Sequence, residues 1–98
     1  MASEKFISVD FEVIGEVKGV LFKEYTAITA SSTNVRGWCM NSDNNSISGV
    51  LEGCVSNVEV MKHWLKNVGS PKSKVEQVIF TNEIDIEHLT YDSFNILE

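Results

Sequence analysis

Cations are scarce in this 98-residue chain: 8 Lys and Arg stand against 14 Asp and Glu, for a formal net charge of −6. That balance argues against nucleic acid as a partner, because a polyphosphate backbone rewards clustered Lys and Arg. No apolar run approaches the roughly 20 residues that span a bilayer, so membrane insertion is not expected. The opening Met1-Ala2-Ser3-Glu4-Lys5 lacks the long apolar core of a secretory signal, and a cytoplasmic chain is expected. The sequon Asn44-Asn45-Ser46 then carries no glycan. There are only two cysteines, which in an intracellular chain read as free thiols. There is one proline and no low-complexity linker, so residues 1–98 read as one domain around one core. No group of His, Cys, Asp and Glu has metal-ligand spacing, and neither a metal nor another cofactor is expected. What remains is 43% hydrophobic with a mean hydropathy of −0.04, the balance of a soluble globular protein.

The apolar positions have clear periods. Ile7, Val9, Phe11 and Val13 alternate with Ser8, Asp10 and Glu12, as in a strand buried on one face. Residues 22–33 read as a helix with Phe22, Tyr25 and Ala30 turned inward and Ile28 as a further candidate. Its many Thr and Ser residues give it poor intrinsic propensity, so tertiary packing must hold it. Asn34 suits the left-handed residue that ends such a helix. Residues 35–42 and 46–53 read as a hairpin about the turn Asp43-Asn44-Asn45. That hairpin pairs Cys39 with about position 49, five residues short of Cys54. At about 3.3 Å per residue the offset is on the order of 16 Å, beyond disulfide reach.

Ser56-Asn57-Val58-Glu59 has the form of a capping box, with Ser56 at the N-cap. It opens a second helix whose Val58, Met61, Leu65 and Val68 share a face and which Gly69 and Pro71 end. His63 falls on the opposite face, and His88 lies in a polar connection. Val75–Glu83 and Ser93–Leu97 read as strands, the latter with Phe94 and Ile96 inward. The order strand, helix, strand, strand, helix, strand predicts an α+β, ferredoxin-like sandwich, with two helices on one face of a mostly antiparallel sheet.

One connection carries chemical information. Between the first strand and first helix, Gly15-Glu16-Val17-Lys18-Gly19-Val20 places two glycines around a short loop, and Lys23 follows where the helix begins. Converging backbone N–H groups and the helix dipole make such a loop a site for a small anion, above all phosphate. On spacing alone the glycines serve equally well as a tight strand-to-helix turn, and Lys23 as a solvated helix lysine. Asn41, taken alone, reads as a hairpin cap.

Two motifs in order decide between these readings. Gly15-Glu16-Val17-Lys18-Gly19-Val20-Leu21-Phe22-Lys23 is similar to the acylphosphatase motif G-x-V-Q-G-V-x-F-R. Gly37-Trp38-Cys39-Met40-Asn41, followed by Asn45-Ser46-Ile47-Ser48-Gly49, is similar to that family's G-W-x-x-N and G-x-V-x-G. Tyr25-Thr26 and Gly69-Ser70-Pro71 match as well, and the resemblance covers about residues 9–96. It implies hydrolysis of the carboxyl–phosphate anhydride of a small acyl phosphate, releasing carboxylate and inorganic phosphate. It further implies a metal-independent site in a monomer: Gly15, Glu16, Val17, Lys18, Gly19 and Val20 as the phosphate cradle, Lys23 as the clamp and Asn41 as the holder of the attacking water.

The resemblance departs at the clamp, where the family has arginine. Lysine keeps the charge and loses the planar fork that contacts two phosphate oxygens at once. Attenuated turnover is the expectation, and a catalytically silent anion-binding module is the alternative. Glu16 adds an unfavourable carboxylate beside the anion, and Lys18 replaces the usual glutamine and offsets it. Asn45 and Asn34 stand for turn glycines, and Leu97-Glu98 for an aromatic ending.

Overall fold

The alternation in Ile7–Val13 becomes β1 (Phe6–Glu16) in a computed structural model of the protein, which describes residues 5–17, 21–42 and 46–97. Six elements follow: α1 (Phe22–Ser32), β2 (Arg36–Ser42), β3 (Ser46–Cys54), α2 (Val55–Asn67), β4 (Lys74–Ile86) and β5 (Phe94–Ile96). The sheet order is β4-β1-β3-β2-β5. β1 is antiparallel to both β3 and β4, β2 is antiparallel to β3, and β5 runs parallel to β2. α1 lies against β2 and β5, and α2 against β1, β3 and β4. Between helices and sheet sits one core that includes Val9, Val13, Phe22, Leu51, Met61 and Leu65. This is the ferredoxin-like arrangement expected from the element order.

The hairpin register is the expected one. Cys39 pairs with Gly49, and Cys39 and Cys54 are both free. The turn residues Asp43, Asn44 and Asn45 lie outside the described residues, as does Glu98. Asn34 adopts φ 59 and ends α1 as expected. Arg36, Trp38 and Glu52 point to the sheet face away from the helices, where residues 87–93 cross. Glu52 Oε1 accepts the backbone N–H groups of Thr90 (2.6 Å) and Tyr91 (3.0 Å) there. Arg36 donates to the Tyr91 carbonyl (3.2 Å), and the Trp38 indole donates to the Tyr91 hydroxyl (3.2 Å).

Three sequence expectations are corrected. The buried line of α1 is Phe22, Thr26 and Ala30, not one that contains Tyr25 and Ile28, which are exposed. Thr26 can be buried because its hydroxyl donates to the Phe22 carbonyl one turn back, at 2.7 Å. The N-cap is Cys54 and not Ser56: α2 starts at Val55, one residue ahead of Ser56, and Cys54 makes no side-chain cap bond. β3 runs straight into this helix, and the Val55 amide donates to the Lys5 carbonyl. Val68 lies past the end of α2 and is exposed, while Gly69 takes φ 66 and closes the helix through its N–H to the Trp64 carbonyl.

Candidate active site

The first motif begins where β1 leaves the sheet. Gly15 has φ 144, and a Cβ there would lie 2.1 Å from the Lys74 carbonyl oxygen, so only glycine lets β1 and β4 stay paired at this point. The β1–β4 register shifts between Ile14 and Gly15, and pairing continues through Gly15 with Val75 to the end of β1. Glu16 is exposed opposite Lys74. Val17 buries its side chain, and its N–H donates to the Gly15 carbonyl at 3.0 Å. Lys18, Gly19 and Val20 lie outside the described residues. Leu21 then opens α1 in the left-handed conformation, with no side-chain cap bond to the helix N-terminus.

The second motif owes its glycines to close approach. A Cβ on Gly37 would lie 1.9 Å from the Val50 carbonyl oxygen, and one on Gly49 would lie 2.0 Å from the Trp38 carbonyl oxygen. Strand alternation then sets where Asn41 points. It pairs with Ile47, which pairs with Val13, so all three share the helix-covered face, with Asn41 exposed near the strand end.

Lys23 approaches from above. It sits half-buried in the first turn of α1, and α1 packs on β2. Burial pushes the Cys39 thiol up to about 12. The Lys23 ammonium pulls the other way and Glu24 adds to the rise. Asn41 is two residues beyond Cys39 on the same face of β2. β1 ends, α1 starts and β2 ends at one end of the sandwich, so Gly15, Lys23 and Asn41 all lie toward that end.

Two features of this end had little sequence signal. The α2–β4 turn flanks this end: a Cβ on Gly69 would lie 3.4 Å from Phe22 Cε2, and Ser70 buries a hydroxyl with no hydrogen-bond partner among the described residues. Leu21 projects into solvent beside it. The match at Gly69-Ser70-Pro71 was the available clue to the turn. Nothing in the spacing marked Leu21.

Comparison with known proteins gives a consistent result. The acylphosphatase family model matches residues 9–96. Acylphosphatase-1 of Mus musculus is 39% identical over 95 residues, spanning 97% of this chain and 96% of the relative. Acylphosphatase-2 of Bos taurus is 44% identical over 89 residues, spanning 91% and 90%. The crystal structure of acylphosphatase from Bacillus subtilis is similar with a TM-score of 0.85 at 27% identity, covering 94% of this chain and 99% of that one. Element order, the glycines that permit close strand contact and whole-length similarity agree, and the chain belongs to the acylphosphatase family of hydrolases that act on acid anhydrides.

Proposed function

We propose that this protein hydrolyses small acyl phosphates at the end of the sheet toward which Gly15, Lys23 and Asn41 lie. The shared end of these three residues, on motifs that match the family, supports the reading. The backbone of residues 15–20 holds the phosphoryl group, Lys23 offsets charge on its oxygens, and Asn41 orients water through its paired donor and acceptor. Water attacks phosphorus, the bond from phosphorus to the acyl oxygen breaks with its electron pair, and a carboxylate leaves. The water proton passes to solvent or to the phosphate formed. A leaving group of such low basicity needs no strong general acid, so positioning and charge stabilisation suffice.

Lysine at the clamp attenuates this activity. Loss of one preorganised stabilising group costs about 10²–10³ in rate, the upper bound for a swap that retains charge. Lys18 offsets Glu16, and Lys18→Gln is expected to weaken phosphate binding. By resemblance the substrates are metabolites such as 1,3-bisphosphoglycerate or carbamoyl phosphate, or aspartyl-phosphate intermediates of ion pumps. The protein acts as a one-domain cytoplasmic monomer. Lys23 also supports a second reading, a silent module that binds the anion without turnover.

Acetyl phosphate hydrolysis by the parent, Lys23→Arg and Asn41→Ala proteins separates the two. Parent turnover that disappears in Asn41→Ala supports the enzyme, with Lys23→Arg faster than the parent. A parent at background that Lys23→Arg rescues supports the silent module. Absence of both turnover and phosphate binding in all three rejects this reading of the site.

A further inference from the structure

At the other end of the sandwich, where α1 stops and β2 and β5 begin, the surface opens into a cavity of about 210 Å³. Ser31 and Asn34 line it from the end of α1, Arg36 from the start of β2, and Asp92 from the segment before β5. Val35 and Phe94, both members of the core, supply its apolar wall. One water needs about 15 Å³ and drug-sized pockets start near roughly 300 Å³, so the space suits a small molecule. Arg36 stands at the opposite end of β2 from Asn41, about 16 Å along the strand, so the cavity is separate from the candidate active site.

Two opposite charges border this cavity without meeting. Half-buried Arg36 donates to the Tyr91 carbonyl at 3.2 Å, and that carbonyl belongs to the peptide that leads into Asp92. Among the described residues Arg36 makes no ion pair, either with Asp92 or with Glu52, its cross-strand neighbour. Glu52 instead accepts the Thr90 and Tyr91 amides. Asp92 is exposed and has neither an ion pair nor a hydrogen bond among the described residues. Backbone pairing holds the two segments in place: the Gly37 N–H donates to the Ser93 carbonyl at 3.1 Å, and β5 continues parallel to β2. α1 brings its carbonyl end to the same cavity with no basic residue in its last turn, which adds partial negative charge.

We infer that this cavity binds a small zwitterion, an amino acid whose acid group meets Arg36 and whose ammonium meets Asp92 and the carbonyl end of α1. A lone anion is opposed by Asp92 and a lone cation by Arg36. A molecule that carries both charges satisfies both, and the guanidinium can hold its carboxylate through parallel donors. Its carbon chain then lies against Val35 and Phe94. Binding here is independent of the chemistry at the other end of the sandwich.

The test follows the amide NMR signals of the protein during titration. Alanine and 4-aminobutyrate carry both charges, at short and long separation, while butyrate and butylamine carry one each. The better of the two amino acids is expected to give saturable shifts at Ser31, Asn34, Val35 and Phe94. Its Kd should lie about tenfold below those of butyrate and butylamine, the factor that one charge-assisted hydrogen bond supplies at an open site. Asp92→Asn should make the amino acid and butyrate bind nearly equally, and Arg36→Gln should do the same for the amino acid and butylamine. Asp92 makes no bond that the first change would break, and glutamine keeps a donor for the Tyr91 carbonyl. The parent may not respond equally to all four compounds: saturable shifts as strong with butyrate or butylamine as with the amino acids overturn the inference. So does the absence of saturable shifts at these amides with both amino acids, or an Asp92→Asn protein that keeps the full preference over butyrate. Shifts confined to Gly15–Val17 and Lys23 place binding at the other end and overturn it as well.

Discussion

Glu52 and Tyr91, 39 positions apart, meet on the sheet face away from the helices, where the Glu52 carboxylate accepts the Tyr91 backbone N–H at 3.0 Å. The same oxygen takes the Thr90 N–H, and Glu52 is only 1% exposed. Removing the carboxylate leaves two amides without their partner under the covering segment. Glu52→Ala is expected to lose about 3 kcal/mol of unfolding free energy, and Glu52→Gln, which keeps an oxygen acceptor, about 1 kcal/mol. Urea unfolding measures both, and equal losses would show that the side chain matters for volume rather than for these bonds.

Two glycines of β3 should respond unequally to a methyl group. On Gly49 it would lie 2.0 Å from the Trp38 carbonyl oxygen and 2.9 Å from Cys39 Cα, all backbone that cannot yield without parting β2 from β3. On Gly53 the nearest atom, the Asn34 carbonyl oxygen, is 3.2 Å away. Gly49→Ala is therefore expected to cost about 3 kcal/mol and Gly53→Ala about 1 kcal/mol. A ranking in the reverse order in denaturant melts would refute the close approach at Gly49.

Ser70 presents the opposite case. Its hydroxyl is buried and makes no hydrogen bond among the described residues, so the folded state carries its desolvation cost without return. Ser70→Ala is expected to leave the thermal midpoint unchanged or to raise stability by about 1 kcal/mol. A loss of that size would mean the hydroxyl has a partner.

The Cys39 thiol should make stability fall in alkali. Burial pushes its pKa up to about 12, above the ordinary thiol value near 8.5, so the folded state holds the proton where the unfolded state has released it. This contribution is complete below the unfolded pKa and is lost as pH rises from about 9 toward 12. Cys39→Ala should flatten that alkaline slope, as read from unfolding free energies across the window. In native protein at mild pH, half-buried Cys54 should react with a thiol reagent well before Cys39.

Local patterns in this chain were informative where one element alone decides the outcome. The period-two run at Ile7–Val13, the left-handed Asn34 and the pairing of Cys39 with Gly49 all follow from alternation, backbone preference and hairpin register. The family motifs were legible too, because motif order and element order are both one-dimensional. The inward face of α1 was misread because Thr26 looks polar until its hydroxyl finds the Phe22 carbonyl, and Tyr25 and Ile28 look like core residues until their flank is left open. The start of α2 was misread because β3 runs straight into the helix at Val55, whose amide is held by the Lys5 carbonyl, far away in sequence.

By itself, then, the sequence determined the element order, the family motifs and the place of the glycine-bracketed connection between β1 and α1, for each rests on neighbours in the chain. Tertiary structure alone decided that Glu52 is buried, that Gly49 must be bare, that Ser70 lacks a partner and that Leu21 stands strained in solvent beside the site. Each of these depends on what another element brings within a few ångströms, and no local pattern of residues encodes that contact.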